Sequence, residues 1–266
     1  MASHGLHFCR RAAFLWAAVC ATVWLAACGG DDGPKAPPLP SGDITIQAFA
    51  SGLAFPWGMA FLPDGRLLVT EKGGSLQLIS ADGSSRTSVS LSPPGGLNTT
   101  GQGGLLGVAI DPQFVAGQTW VYLSYSQPGV GGAGTAVMRG QLDLTIPSPA
   151  LTNGTQLFQQ LPKTSGPNHF GSRLVFGTDN TLFVTLGERF EFAPAQDPDS
   201  HLGKVVRINR DGSLPLSNPL IGSAQRGIWT LGHRNPQGAA LHPTSGQLWV
   251  GEHGPQGGDE INIALA

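Results

Sequence analysis

From Ile44 onward, short runs of apolar, β-branched and aromatic residues alternate with turns rich in Gly, Pro, Asp and Asn. One pattern recurs four times: a short strand, a turn, then a second strand. The first copy is Trp57–Thr70, with a further strand in Gly73–Ile79. The second is Leu106–Pro112, then a longer turn and Trp120–Tyr125. The third is Ser172–Thr185, followed by Val205–Ile208, and the fourth is Gly238–Val250, followed by Glu260–Ile263. Asp-Gly and Asn-centred turns suit tight hairpins, because these residues adopt the left-handed backbone such turns need.

Aligned on Gly58, Gly107, Ser172 and Ala239, the copies begin 49, 65 and 67 residues apart. That is near the length of a propeller blade with insertions between strands. No segment from Ile44 onward carries the 3.6-residue period of an amphipathic helix. The pattern predicts an all-β fold in which one hairpin is repeated radially, with about four blades. A β-sandwich is the alternative. The last copy ends close to Ala266, so the copies form either a small closed propeller or, as expected here, part of a larger one.

Composition changes this picture little. Glycine, at 39 residues, fits many turns, and an apolar fraction of 40% fits a folded chain. Only 12% of residues are charged, with a net charge of −2, which offers no basic face for a nucleic acid.

The N-terminal residues read as an address. Arg10 and Arg11 precede an apolar run, Ala12–Ala27, too short for a comfortable membrane span. The run ends Leu25-Ala26-Ala27-Cys28-Gly29, which resembles the lipobox of bacterial lipoproteins. On that reading 1–27 is a signal peptide and Cys28 carries lipid. The chain is then anchored at the periplasmic face of a bacterial membrane. The other reading is an ordinary secretory signal with an incidental cysteine. Cleavage removes Cys9 and Cys20, so Cys28 has no disulfide partner. Residues 28–43, with Pro34, Pro37, Pro38 and Pro40, form a stiff tether, and 44–266 form the folded domain.

Three polar loops carry the candidate chemistry. Gly166–Phe176 places His169 on a glycine-flanked loop just before a short apolar strand. Gly232–Gly238 and Glu252–Asn262 share that layout, and all three are expected to converge. Imidazole at His169 is either a proton acceptor suited to neutral pH or a loop residue bonded to a nearby carbonyl.

These loops, with Gly101-Gln-Gly-Gly-Leu-Leu-Gly107, resemble the soluble PQQ-dependent aldose sugar dehydrogenases, related to soluble glucose dehydrogenase. The carrying motifs are Asn168-His-Phe-Gly-Ser-Arg-Leu-Val-Phe176, Gly232-His-Arg-Asn-Pro-Gln-Gly238 and Glu252-His-Gly-Pro with Asp259-Glu-Ile-Asn262. The resemblance runs from about Ile46 to Ile263. It implies a periplasmic six-bladed β-propeller that carries pyrroloquinoline quinone (PQQ) and calcium. It also implies that the family's final portion, with further blades and basic residues for the cofactor's carboxylates, is not in this chain. The implied activity is oxidation of the C1 hydroxyl of aldose sugars to lactones. Hydride passes to PQQ and electrons to an external acceptor.

By the same resemblance, His169 is the base and Arg234 stands beside the quinone carbonyl. Gln102, Asn168 and Asn235 contact the cofactor. Asn168 takes a place where related glucose dehydrogenases carry Asp, so it is expected to orient the imidazole rather than tune its charge. The carbonyls of Gly254 and Pro255 would face a calcium ion, and Glu260 would bind a second, structural one.

Plainer readings stand beside these. Arg234 could fix its own loop through backbone carbonyls. Gly254 and Pro255 could only make a turn, and Glu260 could be a solvated edge residue. His201, His242 and His253 read as structural. With one cysteine after cleavage, no thiolate zinc site can form. No nucleophile elbow, phosphate loop or dinucleotide fingerprint is present. The rival functional class is a non-catalytic, lipid-tethered propeller that serves as a binding scaffold.

Overall fold

The computed structural model describes residues 44–222 and 227–266, so the signal segment 1–27 and the tether 28–43 lie outside the described residues. The chain divides into two units, Met1–Gln47 and Ala48–Ala266, and all the described secondary structure lies in the second.

That unit is built from four antiparallel meanders. The first sheet contains β1 (Pro56–Phe61), β2 (Leu67–Glu71), β3 (Leu76–Ile79) and β4 (Arg86–Val89). The second contains β5 (Leu105–Ile110), β6 (Trp120–Gly129), β7 (Gly132–Asp143) and β8 (Ala150–Gln159). The third contains β9 (Leu174–Phe176), β10 (Leu182–Leu186), β11 (Lys204–Ile208) and β12 (Ile228–Leu231). The fourth has β13 (Pro236–Leu241), β14 (Leu248–Glu252) and β15 (Glu260–Ile263). The sheets stand side by side as blades of a β-propeller, the predicted class, and a single 3-10 turn, Ala193–Ala195, is the one helical element among the described residues.

Strand periodicity explains how one blade serves two neighbours. Side chains on a strand alternate between its faces, so a strand between two blades is apolar on both. On β6, Val121, Leu123 and Tyr125 pack toward the first blade, while Tyr122 packs toward the third. On β10, Leu182, Val184 and Leu186 face the second blade, and Phe183 faces the fourth. Each fully buried Leu or Val contributes roughly 1.5–3 kcal/mol, so these seams dominate stability. β1 leaves Met59 and Phe61 exposed, and β15 leaves Ile261 and Ile263 exposed, so the first and last sheets each present an apolar face.

A repeated hydroxyl joins the blades. In the first sheet, Thr70 Oγ1 accepts from Gly58 N–H at 2.9 Å and donates to the carbonyl of Leu106 in the next blade. In the second, Ser124 Oγ accepts from Gly107 N–H at 2.8 Å and donates to Ser172 O at 2.6 Å. In the third, Thr185 Oγ1 accepts from Arg173 N–H at 2.9 Å and donates to Pro236 O at 2.7 Å. Ladder pairing is irregular at this point of the first two sheets, so the hydroxyl satisfies backbone groups that the ladder leaves open. In the fourth sheet the matching residue is Gly251, opposite Gly238.

Ser124 and Ser126 lie on the same strand and separate this role from mere burial. Ser126 Oγ is buried without a partner. Ser124→Ala strands a buried N–H and a buried carbonyl and is expected to cost roughly 1–3 kcal/mol in denaturant unfolding. Ser126→Ala is expected to cost little or to stabilise, because it removes an unsatisfied hydroxyl. Equal losses from the two variants would contradict the blade-joining role.

Candidate active site

The loops that lead into β5, β9 and β13 occupy the same place in three successive blades. They deliver Gln102, His169 and the pair Arg234–Asn235. The loop after β10 brings Glu188 to meet them. His169 is 4% exposed and Glu188 1% exposed. The imidazole Nδ1–H donates to Glu188 Oε1 at 2.8 Å. That bond fixes the tautomer in which Nε2 carries the lone pair. Nε2 has no protein hydrogen-bond partner among the described residues.

Burial pushes the His169 imidazole below its ordinary pKa. The hydrogen bond and charge of Glu188 pull it upward, while the positive charges of Arg234 and Arg189 add to the depression. The ring is therefore neutral at neutral pH and available as a proton acceptor. Glu188 Oε2 and Arg234 Nε are both buried without hydrogen-bond partners among the described residues, and Arg234 Nε lies 4.0 Å from Glu188 Oε1. Such polar groups, buried and unspent, are costly and mark a place built for a ligand.

The next residue, Arg189, holds the loop that Glu188 serves. It is 1% exposed and lies with its guanidinium 3.5 Å from the Phe170 ring centroid. It donates to Asn168 O at 2.9 Å and to the carbonyl of Gly166. Burial pushes its pKa down to about 10, so it keeps its charge. His169, Arg189, Phe190 and Phe192 all have positive φ, between 51° and 66°. Four such residues in contact, none of them glycine, indicate a backbone held under strain around the imidazole. Gly187 is required here: a Cβ on it would come within 2.0 Å of His169 O. The half-exposed Phe190 ring lies 4.3 Å from the imidazole and 5.6 Å from the Arg234 guanidinium.

Gln102 and Asn235 are in the cluster, and each spends its carbonyl on the loop of the base. Gln102 Oε1 accepts from His169 N–H at 2.8 Å, and Asn235 Oδ1 accepts from Gly171 N–H at 3.2 Å. Their NH2 groups have no protein partner among the described residues. Gly101 lets this loop pack closely on its neighbour: a Cβ there, at φ +60°, would lie 2.4 Å from Pro167 O. No hydrogen bond joins the Asn168 side chain to the imidazole, and orientation of that ring comes from Glu188 instead.

Arg234 fixes its own loop and leaves one nitrogen unbonded among the described residues. Its Nη1 donates to His253 O at 2.9 Å and Gly254 O at 3.1 Å, which fixes its own loop. Its Nε points to Glu188. Its backbone N–H donates to Glu252 Oε2 at 2.7 Å. Burial raises the Glu252 carboxyl's pKa, but bonds from His233, Arg234 and Asn262 outweigh it and leave it below the ordinary value.

The candidate calcium residues are less gathered. Gly254 O takes the Arg234 guanidinium and Pro255 O takes Gly258 N–H at 3.1 Å, in a tight turn. Glu260, on β15, is exposed, and its carboxylate accepts from Asn262 at 3.0 Å. No group of three or more His, Cys, Asp or Glu side chains is placed to hold a metal ion among the described residues. The remaining histidines are structural: His201 Nδ1 accepts from Leu161 N–H, His242 stacks on Trp249, and His253 bonds Gln237.

Sequence reasoning missed Glu188, Arg189, Phe190, His233 and Glu252. A signal was present. His169 and Glu188 are 19 residues apart, and so are His233 and Glu252.

Comparison with known proteins shows the family. The family model for glucose/sorbosone dehydrogenase matches residues 53–266. The chain is 43% identical over 224 residues to aldose sugar dehydrogenase YliI of Escherichia coli (strain K12), covering 83% of this chain and 59% of that protein. A crystal structure of a glucose dehydrogenase superposes with TM-score 0.78 at 44% identity, covering 84% of this chain and 64% of the other. The PQQ-bound aldose sugar dehydrogenase of Streptomyces coelicolor superposes with TM-score 0.74 at 31% identity, over 83% of this chain and 63% of that one. The chain thus spans about three fifths of the length of these relatives. The four-bladed arrangement and the matched residues place the chain in the glucose/sorbosone dehydrogenase family.

Proposed function

We propose that the chain oxidises aldose sugars at C1 with PQQ as redox partner and calcium as its companion ion. The observation that carries this reading is the buried Glu188–His169 pair, with imidazole Nε2 open and the Arg234 guanidinium against the same carboxylate. The family match and the PQQ-bound relative support it.

The residues fit a flat, polyanionic cofactor. The NH2 groups of Gln102 and Asn235 are donors without protein partners among the described residues, the partly exposed Arg234 supplies positive charge, and the exposed ring of Phe190 offers a flat apolar surface. For calcium, the turn at Gly254 and Pro255 offers carbonyl oxygens, the donor type a hard cation takes. Binding there would replace the bond from Arg234 to Gly254 O. Glu260 would serve a second ion only with further ligands, because the one side chain bonded to its carboxylate among the described residues is the Asn262 amide donor.

PQQ, when bound, supplies the hydride acceptor that no side chain provides. His169 Nε2 takes the proton of the C1 hydroxyl as C1 loses its hydride, which leaves a lactone. Glu188 stabilises the imidazolium that forms, because its carboxylate already holds Nδ1–H. Arg234 holds positive charge where negative charge collects. Asn168, next to the base in sequence, would contact the cofactor. Electrons then leave to an external acceptor. Lipid on Cys28 would hold this site at the periplasmic face of a membrane.

Dye-linked oxidation of an aldose panel, with and without PQQ and calcium, tests the reading. Activity should need both additions. His169→Ala should lower turnover by about 10²–10⁴-fold while PQQ still binds. Equal loss of binding and turnover would make His169 a cofactor ligand instead, and a rate indifferent to PQQ would favour the binding scaffold.

The pH profile gives a second test. The base must be neutral, so kcat/KM should fall as pH drops through the His169 pKa, with a midpoint below about 6.5. Glu188→Gln removes the one neighbour that raises this pKa and leaves burial and the two arginines, which lower it. The acid limb should move to lower pH while the plateau falls. A limb that moves to higher pH would contradict the pairing.

A further inference from the structure

The second His–Glu pair, His233–Glu252, repeats the atoms and the 19-residue spacing of the first. His233 Nδ1–H donates to Glu252 Oε1 at 2.9 Å, and both side chains are buried. The outcome differs at the other nitrogen. Thr230 Oγ1 lies 2.7 Å from His233 Nε2, so this imidazole has no open position for a substrate. The Glu252 carboxylate is spent elsewhere too. Oε2 accepts from Arg234 N–H at 2.7 Å, and Oε1 also accepts from Asn262 Nδ2 at 2.8 Å. Asn262 Nδ2 donates in addition to Glu260 Oε2 at 3.0 Å.

We infer that Glu252 is a positioning residue that sets Arg234 against the Glu188–His169 pair. The inference rests on the reading of Arg234 as part of the active site. One carboxylate grips two successive residues, His233 by its ring and Arg234 by its backbone. It stands on β14, a rigid strand, rather than on the loop it holds. Arg234 Nη1 then reaches the carbonyls of His253 and Gly254, the two residues that follow Glu252. Arg234 is thereby held at its backbone N–H and at Nη1 by the chain around Glu252, and Nε is left 4.0 Å from Glu188. A duplicated pairing has been divided: one copy keeps an open nitrogen for the proton, and the other places the positive charge beside it.

Four variants separate placement from general stability. Glu252→Gln replaces one acceptor oxygen with an amide donor, which faces either His233 or Arg234. Thr230→Val breaks the same network at the far side of His233 and leaves the bond to Arg234 intact. Asn262→Ala removes the bridge to Glu260. Arg234→Ala removes the group being placed. Each is measured for melting temperature, PQQ affinity by fluorescence quenching, hydrogen exchange of the Arg234 amide, and kcat and KM for an aldose.

Glu252→Gln should speed exchange at the Arg234 amide, weaken PQQ about tenfold and lower kcat tenfold or more, with KM within about threefold. Thr230→Val and Asn262→Ala should lower the melting temperature and leave PQQ affinity and kcat within about threefold. Equal effects of Glu252→Gln and Thr230→Val on affinity and kcat would reduce Glu252 to a stabilising residue. An unchanged Arg234 amide in Glu252→Gln would overturn the proposal directly. If Arg234→Ala alters neither PQQ affinity nor kcat, the reading of Arg234 itself fails, and this inference falls with it. If Arg234→Ala is damaging and Glu252→Gln is not, only the positioning role falls.

Discussion

One hydroxyl on the second strand of each of the first three blades fixes where the next blade begins. Thr70, Ser124 and Thr185 each accept from their own first strand and donate to the first strand of the neighbour. The bond sits just where that neighbouring strand enters from its loop. Consequently the loops before β5, β9 and β13 arrive at matched positions, and Gln102, His169 and Asn235 meet although they are far apart in sequence. Apolar seams supply most of the stability, but they are slippery in direction. A hydrogen bond to a named carbonyl sets the register that a site needs.

The site is then built from groups that a stable core would avoid. A carboxylate, a guanidinium group and an imidazole are buried together beside a second, partly exposed guanidinium, and two of their polar atoms have no partner among the described residues. Four non-glycine residues around the imidazole have left-handed backbone, at roughly 1–2 kcal/mol each. Arg189 offsets part of this by bonding the carbonyls that the strained loop exposes. Lys204 does the same for the loop after β10. Its ammonium is fully buried against the carbonyls of Pro194, Ala195 and Leu202, and burial pushes its pKa down to about 8. The frame is rigid because buried donors and acceptors close on backbone, and the open atoms are confined to one place.

Much of this was legible in the chain. The alternation of Leu67–Thr70, Trp120–Tyr125 and Leu182–Thr185 with Asp, Asn and Gly turns reports strands with two buried faces, and these are the second strands of three blades. The outer strands were not legible. β4 and β8 are largely exposed and polar, and β7 begins Gly-Ala-Gly, which reads as a loop until its register with β6 is known. His169, Arg234, Gln102 and Asn235 announce themselves by sitting in polar, glycine-rich loops. Glu188 does not, because it follows β10 with no turn residue except Gly187, and its meaning depends on a contact made across 19 residues. Asn168 was expected to orient the imidazole because it takes the place where related glucose dehydrogenases carry Asp, and Glu188, a neighbour in space, does so instead. The distinction between His169 and His233 is wholly three-dimensional: it is the Thr230 hydroxyl that closes the second ring.

The central claim is that the Glu188–His169 pair and Arg234 work together on an aldose whose hydride leaves C1 for PQQ. The most direct measurement is anaerobic mixing of the chain, loaded with PQQ and calcium, with an aldose carrying either hydrogen or deuterium at C1, followed by the absorbance of the cofactor in a single turnover. The account predicts reduction of PQQ in one phase that is slower for the deuterated sugar. Cofactor that binds but stays oxidised, or a rate blind to deuterium at C1 under conditions where sugar binding is saturated, would contradict it.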